Sequence, residues 1–302
     1  MEHVASKSIL MGLVLALSPF TAAAQLDFEG TEITTTELNQ GIYLLEGLGG
    51  NLAVSIGADG VMLIDDEFAQ LTPKVVAAVG ELTEQPIDFV INTHWHLDHT
   101  GGNELLSKQG ALIVAHDNVR TRLAEDGPQN WGPKALPVIT FSEASTFYFN
   151  DAEIHVFHPG NAHTDGDSII HFRDRDILHA GDIYWNGYYP RVDLQSGGSV
   201  NGTIKTMQLM VDLSGPETQI IPGHGPLATK QDLERDLAMM QDVKASITAL
   251  IEEGKSLEQI LELNPLKEYD RQGYGSFFIR NDQLMTAFFR DLHGEAAPHS
   301  HD

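Results

Sequence analysis

The 302-residue chain contains no cysteine. Disulfides and thiolate ligands are therefore excluded, and any metal site must be built from His, Asp or Glu, which suit zinc, iron or manganese. Positive charge is scarce. Only 18 Lys and Arg stand against 43 Asp and Glu, for a formal net charge of -25. Such a surface repels polyanions at long range, so the expected partner is a small-molecule substrate and not nucleic acid. A dinuclear metal site would still be locally cationic, which leaves a nuclease or phosphodiesterase as a third-ranked reading. No basic stripe supports it.

Long apolar runs are missing as well. The stretch Ile9 to Leu17 is short for a bilayer span. With Lys7 before it and Ala22-Ala23-Ala24 after it, it reads as a secretion signal cleaved near Gln25. Residues 1–24 are thus expected to be removed, leaving a periplasmic protein without stable membrane insertion. Glu2 dilutes the positive region, and an uncleaved anchor is the alternative.

What is present suffices for a large core: 42% of residues are hydrophobic and 20% charged. β-rich runs open the mature chain at Ile42–Leu45, Leu52–Ile56 and Val61–Ile64, separated by glycine-rich turns. A helix is expected from Thr72 as cap, with Pro73 at its first position and Val75, Val76 and Val79 inward. Phe89–Ile91 and Leu112–Val114 follow as strands, with a helix start at Asn103 between them. The second half repeats this grammar. Thr146–Phe149 and Glu153–Phe157 form a hairpin around Asn150-Asp151, Ser168–Phe172 pairs with Ile177–Ala180, and Gln219–Ile221 closes the series. From Thr229 onward, Leu233, Leu237, Met240, Val243, Ile247 and Leu250 recur at helical spacing. Ser256 with Gln259 fits a capping box. The expected organisation is a catalytic domain over 25–227, a helical extension packed on it over 228–292, and a flexible polar tail over 293–302.

The chemistry concentrates in His94-Trp95-His96-Leu97-Asp98-His99, at the end of an apolar strand. Residues i and i+2 of an extended segment share a side, so His94 and His96 can grip one ion. Asp98 and His99, past the turn, can reach a second beside it. Three lone ligand types follow, each at the end of an apolar run and next to glycine or small turn residues: His163, Asp182 and His224. Strand ends collect on one rim of a sheet, where a scaffold displays its functional side chains.

In order, Asp65, the 94–99 run, His163, Asp182 and His224 resemble the signatures of the metallo-β-lactamase superfamily. The resemblance implies an α/β fold: a four-layer αββα sandwich of two mixed β-sheets with outer helices, here followed by a C-terminal helical extension. It implies two zinc ions per chain, with iron or manganese as substitutes. His94, His96 and His163 would hold the first, Asp98, His99 and His224 the second, and Asp182 would bridge them. Asp98 and Asp182 would then be the catalytic carboxylates. The implied activity is that of a dinuclear zinc hydrolase, in which metal-bound hydroxide cleaves a carbonyl C–N or C–O bond. Asp65 would order the ligand loop or simply shape a turn.

The chain departs from the best-known β-lactamases of the superfamily, which have Cys where Asp182 stands and a drug-binding Lys soon after; no Lys occurs here through Gln195. An aspartate bridge is more like lactonases and glyoxalase II. Export, by contrast, fits exposure to β-lactams. A β-lactam or similar cyclic amide is the leading substrate, and a lactone, ester or thioester the alternative. A non-catalytic binding protein on the same scaffold is disfavoured by the intact ligand set. Trp95, Tyr184, Trp185, Tyr188 and Tyr189 either line the substrate mouth or pack, and Arg191 either meets a substrate carboxylate or lies on the surface. His158 is the one further histidine close enough to the third motif to be considered. The segment Tyr274–Phe278 either caps the active-site groove or makes a subunit contact; the oligomeric state stays open.

Overall fold

The computed structural model describes residues 26–126 and 131–294. The expected secretion signal and the tail beyond 294 lie outside the described residues. Seven strands form the first sheet in sequential order: β1 (Thr34–Asn39), β2 (Ile42–Glu46), β3 (Leu52–Gly57), β4 (Gly60–Ile64), β5 (Ile87–Ile91), β6 (Leu112–His116) and β7 (Ile139–Phe141). Pairing is antiparallel from β1 to β4 and parallel from β4 to β7. The parallel pairs need crossovers. These are supplied by α1 (Thr72–Leu82) and by the segment holding α2 (Leu97–Thr100) and α3 (Asn103–Gln109); α4 (Asp117–Asp126) follows β6.

The second sheet comprises β8 (Ala144–Phe149), β9 (Ala152–Phe157), β10 (Ile169–Phe172), β11 (Ile177–His179) and β12 (Gln219–Ile221), antiparallel except for the parallel β11–β12 pair. Asn150 and Asp151 join β8 to β9 with both residues at positive φ, 53° and 57°. That geometry suits the right-handed twist of a tight hairpin, and these two residue types tolerate it.

Three apolar cores account for the layering. Along β4, Met62 and Ile64 point into one core while Val61 and Leu63 point into another, as the period of two requires. Met62 and Ile64 meet Ile154, Val156, Ile170, Phe172 and Ile221 of the other sheet, so the sheets pack face to face. Val61 and Leu63 meet Val75 and Val79 of α1 and Leu106 of α3. On the far side, Ile169, Leu178 and Ile220 of the second sheet meet α5 (Val200–Leu213) and α6 (Lys230–Glu252) through Met207, Met210, Leu233, Leu237 and Met240. Helix, sheet, sheet, helix is the αββα order expected.

The C-terminal helices α7 (Leu257–Leu263) and α9 (Asn281–His293) add Ile260, Leu284 and Phe288 to that outer core, and α8 (Lys267–Arg271) packs the partly buried Tyr269 against it. Thr229 caps α6 in a reciprocal box with Asp232, and Ser256 caps α7 with Gln259. One cap differs from expectation. The helical turn begins before Thr72, so Leu71 is the N-cap of α1 and the Thr72 hydroxyl instead donates to the Phe68 carbonyl. Val76 is half-buried, while Val75 and Val79 are buried.

Candidate metal centre

All seven expected ligands come together. They form two groups, His94, His96, His163 and Asp182, and Asp98, His99 and His224, each with ligating atoms within 4.8 Å of one another. The backbone explains the convergence. β5 ends at Ile91, and the chain then bends through residues 92–96 before α2 carries Asp98 and His99. His163 follows β9, Asp182 sits in a short 3-10 turn after β11, and His224 follows β12.

Hydrogen bonds fix which nitrogen of each ring bears its proton. A carboxylate only accepts, so His96 Nε2 donates to Asp193 Oδ2 at 2.9 Å and its Nδ1 lone pair faces the site. His99 Nδ1 donates to Asp65 Oδ2 at 2.7 Å, and His163 Nδ1 donates to the Arg191 carbonyl at 2.7 Å, so the Nε2 atoms of both rings face inward. Thr93 Oγ1 spends its proton on Asp65 Oδ2 at 2.7 Å, so His94 Nδ1 donates to Thr93 and presents its own Nε2. The inward nitrogens then stand 3.1 Å (His94–His96) and 2.9 Å (His96–His163) apart. Ring nitrogens gathered at this spacing suit a shared cation, and partners that orient the far ring nitrogens are characteristic of metal-ligating histidines.

Asp182 lies between the groups. Its Oδ2 is 3.7 and 3.6 Å from His94 and His163 Nε2, and its Oδ1 is 3.1 and 3.4 Å from His99 and His224 Nε2. His224 Nε2 also lies 3.3 Å from Asp98 Oδ2. His99 Nε2 and Asp182 Oδ1 are buried without a hydrogen-bond partner among the described residues, as befits atoms shaped for coordination. Burial holds His94 well below the ordinary histidine range and His163 down to about 3, the neutral form that ligates. Burial also opposes charge on His224, but Asp182 and Asp98 outweigh it and push its pKa up to about 9. Burial would raise Asp98 too, yet His99 and His224 hold it down to about 2. These carboxylates thus draw positive charge toward the second group.

The loop after β4 braces the centre with three buried acids. Asp65, at φ 59°, also accepts from Thr93 N at 2.7 Å, which settles its role as an organiser of the ligand loop. Asp66 accepts from Gly102 N at 2.8 Å and Glu67 from Gly49 N at 2.9 Å. Asp193, Asp66 and Glu67 were not expected at the site. Three consecutive acids after an apolar strand were a legible signal for two of them; nothing local marks Asp193, which also accepts from Ser196 Oγ and Arg191.

Other expectations divide. Tyr184 and Tyr189 are core residues, not mouth residues: Tyr184 hydroxyl donates to Asp236, and Tyr189 hydroxyl to Asp270, each at 3.0 Å. Burial needs a partner for the phenol, and α6 supplies it through Asp236 and α8 through Asp270. Trp185 lies against His224, with ring centroids 4.5 Å apart, and Tyr188 against Phe277. Trp95 packs against the small core that holds Val119, Leu123 and Trp131 and lies under Arg122. Arg191 pairs with Asp193 at 3.1 Å. His158 stacks on His116 and bonds to the Asp167 carbonyl, apart from both ligand groups.

Comparison with known proteins agrees with this geometry. The chain is 23% identical over 218 residues to a metallo-beta-lactamase type 2 of Bacillus cereus, covering 69% of this chain and 83% of that one. It is 22% identical over 256 residues to the 2,4-dinitroanisole O-demethylase subunit alpha of a Nocardioides species, covering 80% and 73%. Its fold superposes on a metallo-beta-lactamase from Pontibacter korlensis with a TM-score of 0.61 at 20% identity, over 70% of this chain and 100% of that one. Residues 59–232 match the family described as the metallo-beta-lactamase superfamily. The chain belongs to that superfamily.

Proposed function

We propose that the protein is a dinuclear zinc hydrolase that opens a carbonyl C–N or C–O bond, with a β-lactam or similar cyclic amide as its leading substrate. The observation that carries this reading is the convergence of imidazole nitrogens on the two sides of one carboxylate, Asp182. His94, His96 and His163 would hold one ion and Asp98, His99 and His224 the other, with Asp182 between. Bound there, zinc supplies a water of lowered pKa and a Lewis acid for the scissile carbonyl.

The protein's own contribution is orientation and charge. Asp193, Asp65, Thr93 and the Arg191 carbonyl fix the rings before substrate arrives, so little reorganisation remains. Asp98 and Asp182 are the carboxylates set among the ligand rings, 3.3 Å from His224 Nε2 and 3.1 Å from His99 Nε2 respectively. No serine or cysteine nucleophile is required. Relatives named metallo-beta-lactamase type 2 support the leading substrate. Asp182 in place of a cysteine, and the lack of lysine from 183 to 195, favour the second reading: a lactone, ester or thioester. Under the secretion-signal reading of residues 1–24, the site would work in the periplasm.

The test is a zinc-replete screen of nitrocefin, a lactone and a thioester, with His96→Ala alongside. Nitrocefin turnover that His96→Ala abolishes is the expected result. Robust lactone cleavage without β-lactam turnover would reverse the order, and full activity of His96→Ala would remove the ligand assignment.

A further inference from the structure

We propose that Phe277, together with Trp185 and Tyr188, forms an aromatic wall beside His224 that selects substrates carrying a flat apolar ring next to the scissile bond. The proposal rests on His224 belonging to a hydrolytic metal centre. The Phe277 ring lies 5.7 Å from the His224 ring, 5.8 Å from Trp185 and 4.8 Å from Tyr188, centroid to centroid. Trp185 in turn lies 4.5 Å from His224 at an interplanar angle of 66°. Phe277 and the buried Trp185 therefore border one ligand of the second group, and Tyr188 backs Phe277. Phe277 nevertheless remains 43% exposed, so its contacts leave much of it uncovered. Leu97, between ligands His96 and Asp98, is 48% exposed. Apolar surface of this kind beside buried polar ligands matches the lining of small-molecule sites, where apolar walls bind and a few polar groups orient.

The wall is held in place before any ligand arrives. Tyr274, three residues before Phe277, is buried, stacks on Tyr189 and donates its hydroxyl to Asp236. Tyr189 N donates to the Tyr274 carbonyl at 3.1 Å. Asp236 also accepts from Tyr184 and Gly187 N, while Asn186 N donates to the His224 carbonyl at 3.0 Å. One network thus ties the Phe277 segment to the loop that positions a ligand. A preorganised wall loses little freedom on binding. Phe277 lies beyond residue 232, outside the stretch that matches the family model, in the connection between α8 and α9.

The experiment measures binding to the zinc-loaded protein by calorimetry with two thiols, 2-mercapto-3-phenylpropionate and 2-mercaptopropionate, which differ only by the phenyl ring. The wild type should favour the phenyl compound by about ten-fold, the worth of one good aromatic contact. Phe277→Ala should cut that ratio to about two-fold, leaving bound zinc and affinity for the small thiol unchanged. An unchanged ratio overturns the proposal. Should Phe277→Ala fail to fold, Phe277→Leu takes its place, and an unchanged ratio there is equally fatal. If Phe277→Ala instead turns a dimer into a monomer and leaves the ratio intact, a second copy of the chain is the occupant and the wall is not a substrate contact. A wild type that shows the phenyl preference but hydrolyses no carbonyl substrate would sink the proposed function while leaving the wall standing.

Discussion

Gly223→Ala probes the bridge directly. A Cβ at residue 223 would lie 2.1 Å from Asp182 Oδ1 and 2.7 Å from the Gly181 backbone, whereas ordinary contact begins at 3.4 Å. The deficit to the carboxylate is about 1.3 Å, more than the ~0.5 Å within which a site must be held. The Gly181 backbone blocks part of the retreat, so Asp182 must swing from its place between His99 and His224, now 3.1 and 3.4 Å away. Residue 223 is not at positive φ, so the backbone itself accepts alanine. Overpacking of this size costs about 1–3 kcal/mol of stability. A displacement of about 1 Å costs on the order of 100-fold in turnover. The predicted outcome is a folded protein that holds one zinc instead of two, by elemental analysis after dialysis, with turnover reduced about 100-fold. Gly215→Ala is the control, since its added Cβ would meet only Thr218 Oγ1 at 3.7 Å. Two retained ions and turnover near wild type in Gly223→Ala would refute the bridging role.

Two further predictions follow from the supporting shell. Asp193→Asn keeps the shape but weakens the acceptor for His96 Nε2, and should lower metal affinity about 10- to 100-fold with the fold intact, read by competition with a chromophoric chelator. Unchanged affinity would show that His96 needs no such anchor. His179 is buried, bonded through Nε2 to the Asn51 carbonyl at 3.1 Å, and burial lowers its pKa to about 4. Its neutral form is the one the fold accepts, so its share of stability is complete above the unfolded value near ~6.5 and is lost as pH falls from there toward about 4. His179→Gln should therefore flatten the urea-midpoint profile between those values by up to about one proton; an unaltered slope would show that His179 does not carry that limb.

Much of this was legible in the sequence because the signals are local. The continuous apolar run of β4, the positive-φ residue types at Asn150-Asp151 and the capping pairs at Thr229 and Ser256 are each settled within a few residues. The ligands were readable for a related reason: each follows an apolar strand, in the turn or short helix beyond its end. What escaped depends on contacts between distant parts of the chain. Asp193 reaches His96 across 97 positions, and Tyr184 is drawn into the core by Asp236, 52 positions away. Neither residue carries a local mark of that role. The choice between mouth and packing for the aromatics is likewise decided by distant segments: Asp236 of α6 and Asp270 of α8 hold Tyr184 and Tyr189, while the loop before α9 sets Phe277 beside His224.

The central claim is that seven side chains make two adjoining metal sites. Crystals grown with zinc and measured across the zinc absorption edge test it most directly. Two anomalous peaks are predicted, one bounded by His94 Nε2, His96 Nδ1 and His163 Nε2, the other by Asp98, His99 and His224, with Asp182 touching both. Peaks held by other side chains, or none at this rim, would contradict it.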